Sequence, residues 1–514
     1  MNKIAKLFTI LLLSIFLTSF TRVYALQEVK VEQGSVLSLK DCIAIALNNN
    51  PSIKNARYNY GISKANVNVA RSEFFPTVGV GTGYKFTGTK NKQRSTTSDY
   101  YSVEATLNQM IWNFGRTNSH IRMQKFYQIA DKYTFDNTVR ETIFNVKQRY
   151  YEVLAARATV LINQAYVDIN ERNYLRTKAY FDEGIKSKID LVNAEVTLSD
   201  SKISLIQSQN SYKNSLVNLN NTMYLKNAPT YSIESNENFN IKDNVAPVDL
   251  SNLEQQNPKK QAKAPDGITD AKLLSSVEKL EVLTDYEVQE FPYSFEECIE
   301  MAYKNRADLK AYNSTLDAVK ENLLYVKRNY YPEISASAGY GFRDLNNTNS
   351  LNVGVNMSSA VNIMAQKANV DAAKFQVDIA ENSLSQLNQD IYFEVQNAYI
   401  NMVELEKQIP LLAVKVRQTM ENYELAEGRY YVGLGDYIQL QDARVNYNNA
   451  QSSYVQAVYN YNVARATLER EIALPQEETL TVEDVKDFQK DLKKQEKSKL
   501  TVKNNQKNSK KDNV

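Results

Sequence analysis

Four short segments of the chain alternate apolar and polar residues with a period of two, the pattern of a β-strand with two different faces. In the first, at 77–86, Val78, Val80 and Phe86 fall on one face, while glycine, threonine and lysine occupy the other. The other three segments lie at 101–112, 333–343 and 350–358. We therefore predict two pairs of strands, joined within each pair by the polar loops 87–99 and 344–350.

The two pairs of strands belong to two copies of one longer pattern. FFPTVGVGTGYKF in the first copy corresponds to YYPEISASAGYGF in the second, with Pro76 superposed on Pro332. A helical pattern precedes that proline in each copy, at 39–75 and 295–331, and proline disfavours helical geometry in the residue before it. An internal duplication is therefore the first property that the fold must explain.

Beyond each pair of strands the pattern becomes helical over a long distance. The stretch 116–183 contains no proline or glycine, and its apolar residues step by four and three, the spacing of a coiled coil. At 1.5 Å per residue such a helix is roughly 100 Å long. The corresponding stretch 365–432 contains Pro410, which we expect to kink or locally break the helix. Each long helix ends at a glycine, Gly184 or Gly433, and a return helix follows at 190–224 or 439–472, so each copy predicts a helical hairpin.

Three segments lie outside the two copies. Residues 1–25, with lysines before an apolar run and a small residue at Ala25, predict a secretory signal peptide. A polar connector at 226–290, with one short helix expected near 271–283, separates the first repeat, 26–225, from the second, 291–475. The lysine-rich tail 476–514 is typical of a disordered segment, and contact with an anionic surface is the alternative.

Composition excludes several classes of function. The 61 basic and 59 acidic residues give a net charge of +2, so no global field favours nucleic acid. One histidine and two cysteines exclude multi-histidine and four-thiolate metal sites. Cys42 and Cys298 occupy matching apolar helical faces, where we expect free thiols rather than a disulfide. The sequence contains no nucleophile elbow, phosphate-binding loop or metal-ligand cluster, so we predict that the protein is not an enzyme and uses no cofactor or metal.

The length and flanks of the strands favour a membrane. Strands of about 9–11 residues cross a bilayer at a tilt, and aromatic residues are enriched at membrane interfaces. We expect the interface aromatics to be Phe74, Phe75, Tyr101, Trp112, Tyr330 and Tyr331. A sheet in lipid must pair every backbone N–H and C=O, and four strands cannot close on themselves, so the pattern predicts a homo-oligomer. The alternative is a sheet with one face packed on a soluble core.

In this order of elements, from 39 to 474, the sequence resembles the TolC family of outer-membrane efflux channels. The resemblance implies a mainly α-helical fold with a small β portion, in which a duplicated strand and long-helix-hairpin repeat forms a homotrimer. Its 12-stranded transmembrane β-barrel would continue into a periplasmic α-helical barrel. The implied function is a passive exit duct, in outer-membrane lipid, of a tripartite efflux or type I secretion system. The implied partners are a periplasmic adaptor (membrane-fusion) protein and an inner-membrane pump of the RND, ABC or MFS type, with no nucleic acid.

The hairpin tips, EGIKSKIDLVNA and VGLGDYIQLQDA, also resemble that family. In the family the tips narrow the tunnel entrance and dock on the adaptor, which implies a pore constriction at Asp442, Gln439, Asp190 and Asn193. The implied latch and adaptor-docking residues are Tyr430, Gly184, Ile185, Gly433, Leu434 and Gly435. Gln439 stands where some members carry a second acidic ring, and Gly435 where some carry a latch arginine. Asp190 is alternatively an N-cap of the return helix, and Asp442 a residue of an ordinary solvated helix face.

One function of another class is compatible with the same patterns. A trimeric coiled-coil scaffold, at the surface or in the periplasm, would have a sealed apolar core and no conducting lumen. Single-channel conductance distinguishes the two. The sequence does not indicate whether a channel would carry drugs, metal ions or polypeptides.

Overall fold

The structure is a computed structural model that describes residues 31, 33–91, 94–226, 228–234, 288, 291–343 and 348–474. The expected signal peptide, the short helix near 271–283 and the lysine-rich tail lie outside the described residues, as does most of the connector. The described part is mainly α-helical with a small β portion, as predicted.

Each repeat contains two helices, two long strands and a helical hairpin, and a very short strand precedes these elements, which for the second repeat lies in the connector. In the first these are β1 (Val36–Leu37), α1 (Leu39–Asn49), α2 (Pro51–Ser72), β2 (Thr77–Asn91), β3 (Arg94–Trp112), α3 (Arg116–Asp182) and α4 (Lys188–Thr222). In the second they are β4 (Ser232–Ile233), α5 (Phe295–Asn305), α6 (Ala307–Lys327), β5 (Glu333–Arg343), β6 (Thr348–Ser358), α7 (Ile363–Tyr431) and α8 (Tyr437–Glu471). A 3-10 turn, Arg328–Tyr330, follows α6.

The opening segment of the first repeat, predicted as helical over 39–75, is helical but divided into two helices. Asn50 separates them with a non-helical backbone (φ −59°, ψ 119°), and its side chain accepts a hydrogen bond from the Ser52 N–H at 2.8 Å. The following Pro51 is the first residue of α2, and proline disfavours helical geometry in the residue before it. This break is therefore encoded locally, by the presence of Pro51 directly after Asn50.

The segment predicted as helical over 295–331 is likewise divided, at Arg306 (φ −56°, ψ 126°). No proline is involved here. The Arg306 guanidinium instead pairs with Asp308, Glu394 and Glu471, at 2.7, 2.7 and 2.8 Å. Two of these carboxylates come from α7 and α8, so this break depends on tertiary contacts that no local pattern contains.

The long helix α7 is continuous from Ile363 to Tyr431 and passes through Pro410, so of the two predicted outcomes the local break is wrong, and the kink stays a prediction. Proline removes one backbone hydrogen bond and costs a helix interior about 3 kcal/mol. The neighbouring Ile409 is almost completely buried in the core. Packing of an apolar face supplies most of the stability of a helix in a protein, and here it offsets the local cost.

The four long strands form one antiparallel sheet in the order β2-β3-β5-β6. β3 and β5 join the two repeats, with Ser102 opposite Arg343 and an irregularity between Met110 and Trp112. The β2–β3 ladder continues through Thr87↔Ser98 to Asn91↔Arg94, so most of the polar loop predicted at 87–99 is strand. Threonine and serine pair well across strands, and polarity alone does not end a ladder.

The helices form a layer in which α4 packs on α3, α3 on α8 and α8 on α7. The core between them contains buried apolar residues such as Phe135, Val146 and Val458. Cys42 and Cys298 are fully buried free thiols, as expected, and burial raises their pKa values to about 12 and about 11. The parallel pairing of β1 with β4 ties the start of the connector to this core.

Candidate functional site at the sheet and the hairpin tips

The two faces of the sheet differ in the way that the alternation predicts. The outward side chains of β2 and β6, among them Val78, Phe86 and Val353, are exposed in the isolated subunit. Glycine, serine, threonine and asparagine dominate the other face, for example Gly81 and Ser337. Among the described helices, none is long and apolar enough to span a bilayer.

The structure gathers most of the predicted interface aromatics at the helical end of the sheet. The Phe114 ring lies 6.2 Å from the Trp112 ring and 5.2 Å from the Tyr331 ring. The Phe74 carbonyl accepts a hydrogen bond from Gln109 on β3 at 3.0 Å. Two further exposed aromatics, Phe75 and Tyr330, adjoin this group in sequence. Tyr101 lies apart, farther along the sheet, with its ring 4.9 Å from the Tyr84 ring.

Both long helices end in a glycine with a left-handed backbone, φ 75° at Gly184 and φ 80° at Gly433. The next residues close the last turn, since the Ile185 N–H donates to the Tyr180 carbonyl at 2.8 Å and the Leu434 N–H to the Arg429 carbonyl at 2.9 Å. Glycine adopts this conformation without the steric cost that a Cβ imposes. The side chains of Ile185 and Leu434 project into solvent at the two tips.

Gly435 is confined by the backbone of the helix that it follows. A Cβ at this position would lie 3.2 Å from the Tyr430 backbone nitrogen and 3.2 Å from the Arg429 Cβ. Such contacts are tighter than ordinary van der Waals packing. An arginine here, which the resemblance associates with a latch, would therefore require the tip to shift.

The return helices begin with side-chain caps. Ser187, not Asp190, is the N-cap of α4, and Asp190 completes the capping box by accepting hydrogen bonds from the Ser187 hydroxyl at 2.7 Å and N–H at 3.2 Å. In the second tip Asp436 caps α8 by accepting from the Gln439 N–H at 2.7 Å. Asp436 adds a carboxylate that our site prediction missed, although an aspartate immediately before a helical run is a recognisable N-cap signal.

The predicted constriction residues lie near the tips with exposed or half-buried side chains. Gln439 and Asp442 are three residues apart on α8, and both are exposed. The Asn193 side chain is exposed, while its carbonyl accepts a hydrogen bond from the Tyr437 hydroxyl at 3.1 Å. Asp190 is half-buried.

The two tips are joined to each other within one subunit. The Tyr437 hydroxyl lies 2.8 Å from the Thr197 hydroxyl, which links α8 to α4. The Lys186 ammonium lies 3.9 Å from the centre of the Tyr430 ring. Farther from the tips, the Tyr431 hydroxyl donates to Asn173 at 3.2 Å. Aromatic and hydroxyl groups thus hold the second hairpin against the first.

Tyr430 is a buried member of this contact. Burial, with a smaller contribution from the charge of Asp190, raises the pKa of Tyr430 to about 12, so the phenol is neutral at ordinary pH. Its hydroxyl lies beside Thr177, but neither hydroxyl makes a hydrogen bond of good geometry with any described residue. The Asp190 carboxylate is engaged by Ser187 instead. In this arrangement Asp190 and Tyr430 are neighbours without a direct hydrogen bond.

Comparisons with known proteins agree on the class of this architecture. The outer membrane efflux protein family matches residues 42–223 and 298–473. The probable efflux pump outer membrane protein TtgC of Pseudomonas putida is 21% identical over 438 residues, which cover 81% of this chain and 79% of TtgC. The alkaline protease secretion protein AprF of Pseudomonas aeruginosa is 26% identical over 172 residues, only 33% of this chain and 35% of AprF.

The fold also resembles that of the outer membrane channel CmeC of Campylobacter jejuni. The TM-score is 0.68 at 15% sequence identity, and the match covers 91% of this chain and 96% of CmeC. The two family matches coincide with the two structural repeats, from α1 to the end of α4 and from α5 to the end of α8. The chain is therefore a member of the outer membrane efflux protein family.

Proposed function

We propose that three copies of this chain form a channel across the outer membrane that serves as the passive exit duct of an efflux or secretion system. The observation that carries the proposal is the four-stranded sheet, which has an apolar outer face and in which β2 and β6 each pair with only one strand of the described part of the chain. In lipid each unpaired backbone group costs several kcal/mol, so these edges need partners. The edge of a second copy supplies them, and three copies give a 12-stranded barrel.

The helical layer supports the same assembly. α4 and α7 are its outermost helices, and both carry apolar side chains that the described part of the chain leaves exposed. On α4, Ile189, Val196 and Ile203 recur every seven residues and share one side. On α7, Leu411 and Leu425 lie fourteen residues apart, and Val432 follows seven residues later, directly after the end of the helix. Packing α4 of one subunit on α7 of the next buries both stripes in a head-to-tail ring.

The tips form the entrance of this duct in our proposal. Asp442, Gln439, Asp190 and Asn193 would constrict the pore, and the carboxylate of Asp442 would form a ring that attracts cations. The exposed Ile185 and Leu434 offer apolar contacts to a periplasmic adaptor, alongside Gly184, Gly433 and Gly435, while Tyr430 holds the tips together. TtgC is named for efflux and AprF for secretion, so an inner-membrane pump of either kind of system would supply the energy.

Conductance and mass test the channel. The mature chain is purified in detergent, its mass is measured by light scattering, and it is added to planar lipid bilayers. We expect trimers and discrete single-channel steps in symmetrical KCl. A stable monomer, or a trimer that inserts without conducting, would refute the duct, and the second result would favour the scaffold.

Adaptor docking is tested separately from conduction. A photo-crosslinking residue replaces Leu434 at the tip, and the same residue replaces Ile206 on the exposed side of α4 as a matched control. In cells, we expect the Leu434 position to cross-link to a second protein, whereas Ile206, which lies on the same side of α4 as Ile203, should cross-link only to the neighbouring subunit. Equal cross-linking at both positions would contradict docking at the tips.

A further inference from the structure

The side chains buried between the two hairpins change from apolar to polar toward the tips. The buried residues of α3 include Val146, Val153 and Ile162, but Asn170, Asn173 and Thr177 follow in its last turns. On α8, four polar residues at steps of three and four share one side of the helix: Gln441, Arg444, Asn448 and Gln451. We call these residues of α3 and α8, from Asn170 to Thr177 and from Gln441 to Gln451, the polar seam.

Arg444 lies at the centre of the polar seam and is 1% exposed. One of its nitrogens, Nη1, donates to the Asn170 side-chain oxygen at 2.9 Å, and the guanidinium carbon lies 5.7 Å from the centre of the Tyr423 ring. Its Nε and Nη2 make no hydrogen bond of good geometry with a described residue, although the Tyr423 hydroxyl lies beside the guanidinium. Nor does any described carboxylate come within ion-pair distance of it, in contrast to Arg306 near the other end of α8.

The groups around Arg444 are also incompletely paired. In the tip half of the hairpins, eight buried side-chain atoms make no hydrogen bond to a described residue, and they belong to Asn170, Thr177, Tyr430, Gln441, Arg444, Asn448 and Gln451. Each such group loses its hydration when the hairpins pack and recovers hydrogen bonds to water when they part. The largest loss is that of the guanidinium, because it is a buried charge with no ion-pair partner among the described residues, and such a charge is the most costly of these groups.

We infer that Arg444 destabilises the packed hairpins and thereby makes them easier to separate, so that this residue sets how readily the entrance opens. This inference rests on the proposed function only in taking the tips to be the entrance of a channel. The effect of Arg444 on the packing of the hairpins does not depend on that function. A latch would act with the opposite sign, because its removal loosens the tips. Tyr437 is such a group, since its hydroxyl is paired with Thr197 and with the Asn193 carbonyl across the same interface.

Three substitutions distinguish a residue that destabilises the packed hairpins from one that stabilises them. Arg444→Met keeps much of the volume and removes the buried charge. Asn170→Asp keeps the shape, removes an unpartnered donor and places a carboxylate beside Arg444 Nη1. Both should hold the hairpins together. Tyr437→Phe removes only the paired hydroxyl and should loosen them.

Single-channel recording of the full-length trimer measures the effect. We expect Arg444→Met and Asn170→Asp each to open about tenfold less often than the wild type, equivalent to about 1.4 kcal/mol, and Tyr437→Phe to open more often. More frequent opening of Arg444→Met and Asn170→Asp would overturn the inference and make Arg444 a latch. Unchanged opening in both would overturn it as well.

Hydrogen exchange of the same detergent-solubilised proteins gives a readout that does not depend on conduction. We expect slower exchange in 163–182 and 437–451 for Arg444→Met and Asn170→Asp, with exchange in 139–155 unchanged as an internal reference. If the wild type failed to conduct but these segments slowed as expected, the proposed duct would fall and the role of Arg444 would stand. If either Arg444→Met or Asn170→Asp failed to assemble, the other variant would still show whether Arg444 destabilises or stabilises the packed hairpins.

Discussion

Replacing Val353 with arginine tests which face of the sheet meets lipid. Val353 lies in the middle of β6, opposite Ala338, and 77% of its surface is exposed in the isolated subunit. An arginine on the lipid-facing side near the bilayer midplane costs about 2–4 kcal/mol. With one copy per subunit, a trimer would lose roughly 6–12 kcal/mol of its stability in the membrane. The neighbouring Asn352→Arg places the same charge on the opposite face, where we propose water and expect no such loss.

Insertion of urea-unfolded protein into lipid vesicles measures this difference. The chain has one tryptophan, Trp112, at the end of the sheet that faces the helices, so its fluorescence reports burial of that end in lipid. We expect Asn352→Arg to insert like the wild type and Val353→Arg to require far less urea to remain unfolded. Equal insertion of the two variants would refute the assignment of the faces. Selective failure of Asn352→Arg would show that the polar face is the one in contact with lipid.

Three further predictions concern the tips. Asp442→Asn should reduce the cation preference of the channel, so the reversal potential in a KCl gradient should move toward zero; an unchanged potential would exclude Asp442 from the pore. Gly184→Ala should destabilise the trimer by about 1–2 kcal/mol per subunit, because an L-residue is strained at positive φ. Gly428→Ala, inside α7, should instead stabilise it by about 0.5–1 kcal/mol. Thermal unfolding of the two variants checks whether their stabilities change in opposite directions. Ser187→Ala should cost about 1 kcal/mol through loss of the capping box, and a melting temperature equal to that of the wild type would contradict that role.

Features that depend on one element, or on two neighbouring elements, could be predicted from the sequence. The period-two alternation located the strands, since a sheet with two environments must alternate, and glycines marked both helix ends because the left-handed cap requires them. The resemblance to a family of efflux channels, drawn from the order of these elements, is confirmed by the match over both repeats. The signal of Pro51 was equally local, but the apolar period on either side of it concealed the break.

Features that depend on contacts between elements distant in the chain could not be predicted from the sequence. The break at Arg306 follows from carboxylates on α7 and α8, and the continuity of α7 through Pro410 follows from packing around Ile409. Arg444 gave no signal in the sequence, because an arginine on a helix is ordinarily solvated. Only the packing of α8 on α3 shows that this guanidinium is enclosed.

The two ends of the helical hairpins differ in how well their polar groups are paired, and this difference predicts where the molecule moves. Near the helix break at Arg306, the charged groups form a network in which Glu471 accepts from Arg306 and from Arg470, and Arg470 also pairs with Glu141. Separating the helices there would break ion pairs as well as expose a core of valine and tyrosine. In the polar seam around Arg444, separation exposes groups that gain hydrogen bonds to water. A motion that opens the tips therefore encounters a rising cost as it travels along α3 from Thr177 toward Ile162, and we expect it to stop where the buried residues become apolar.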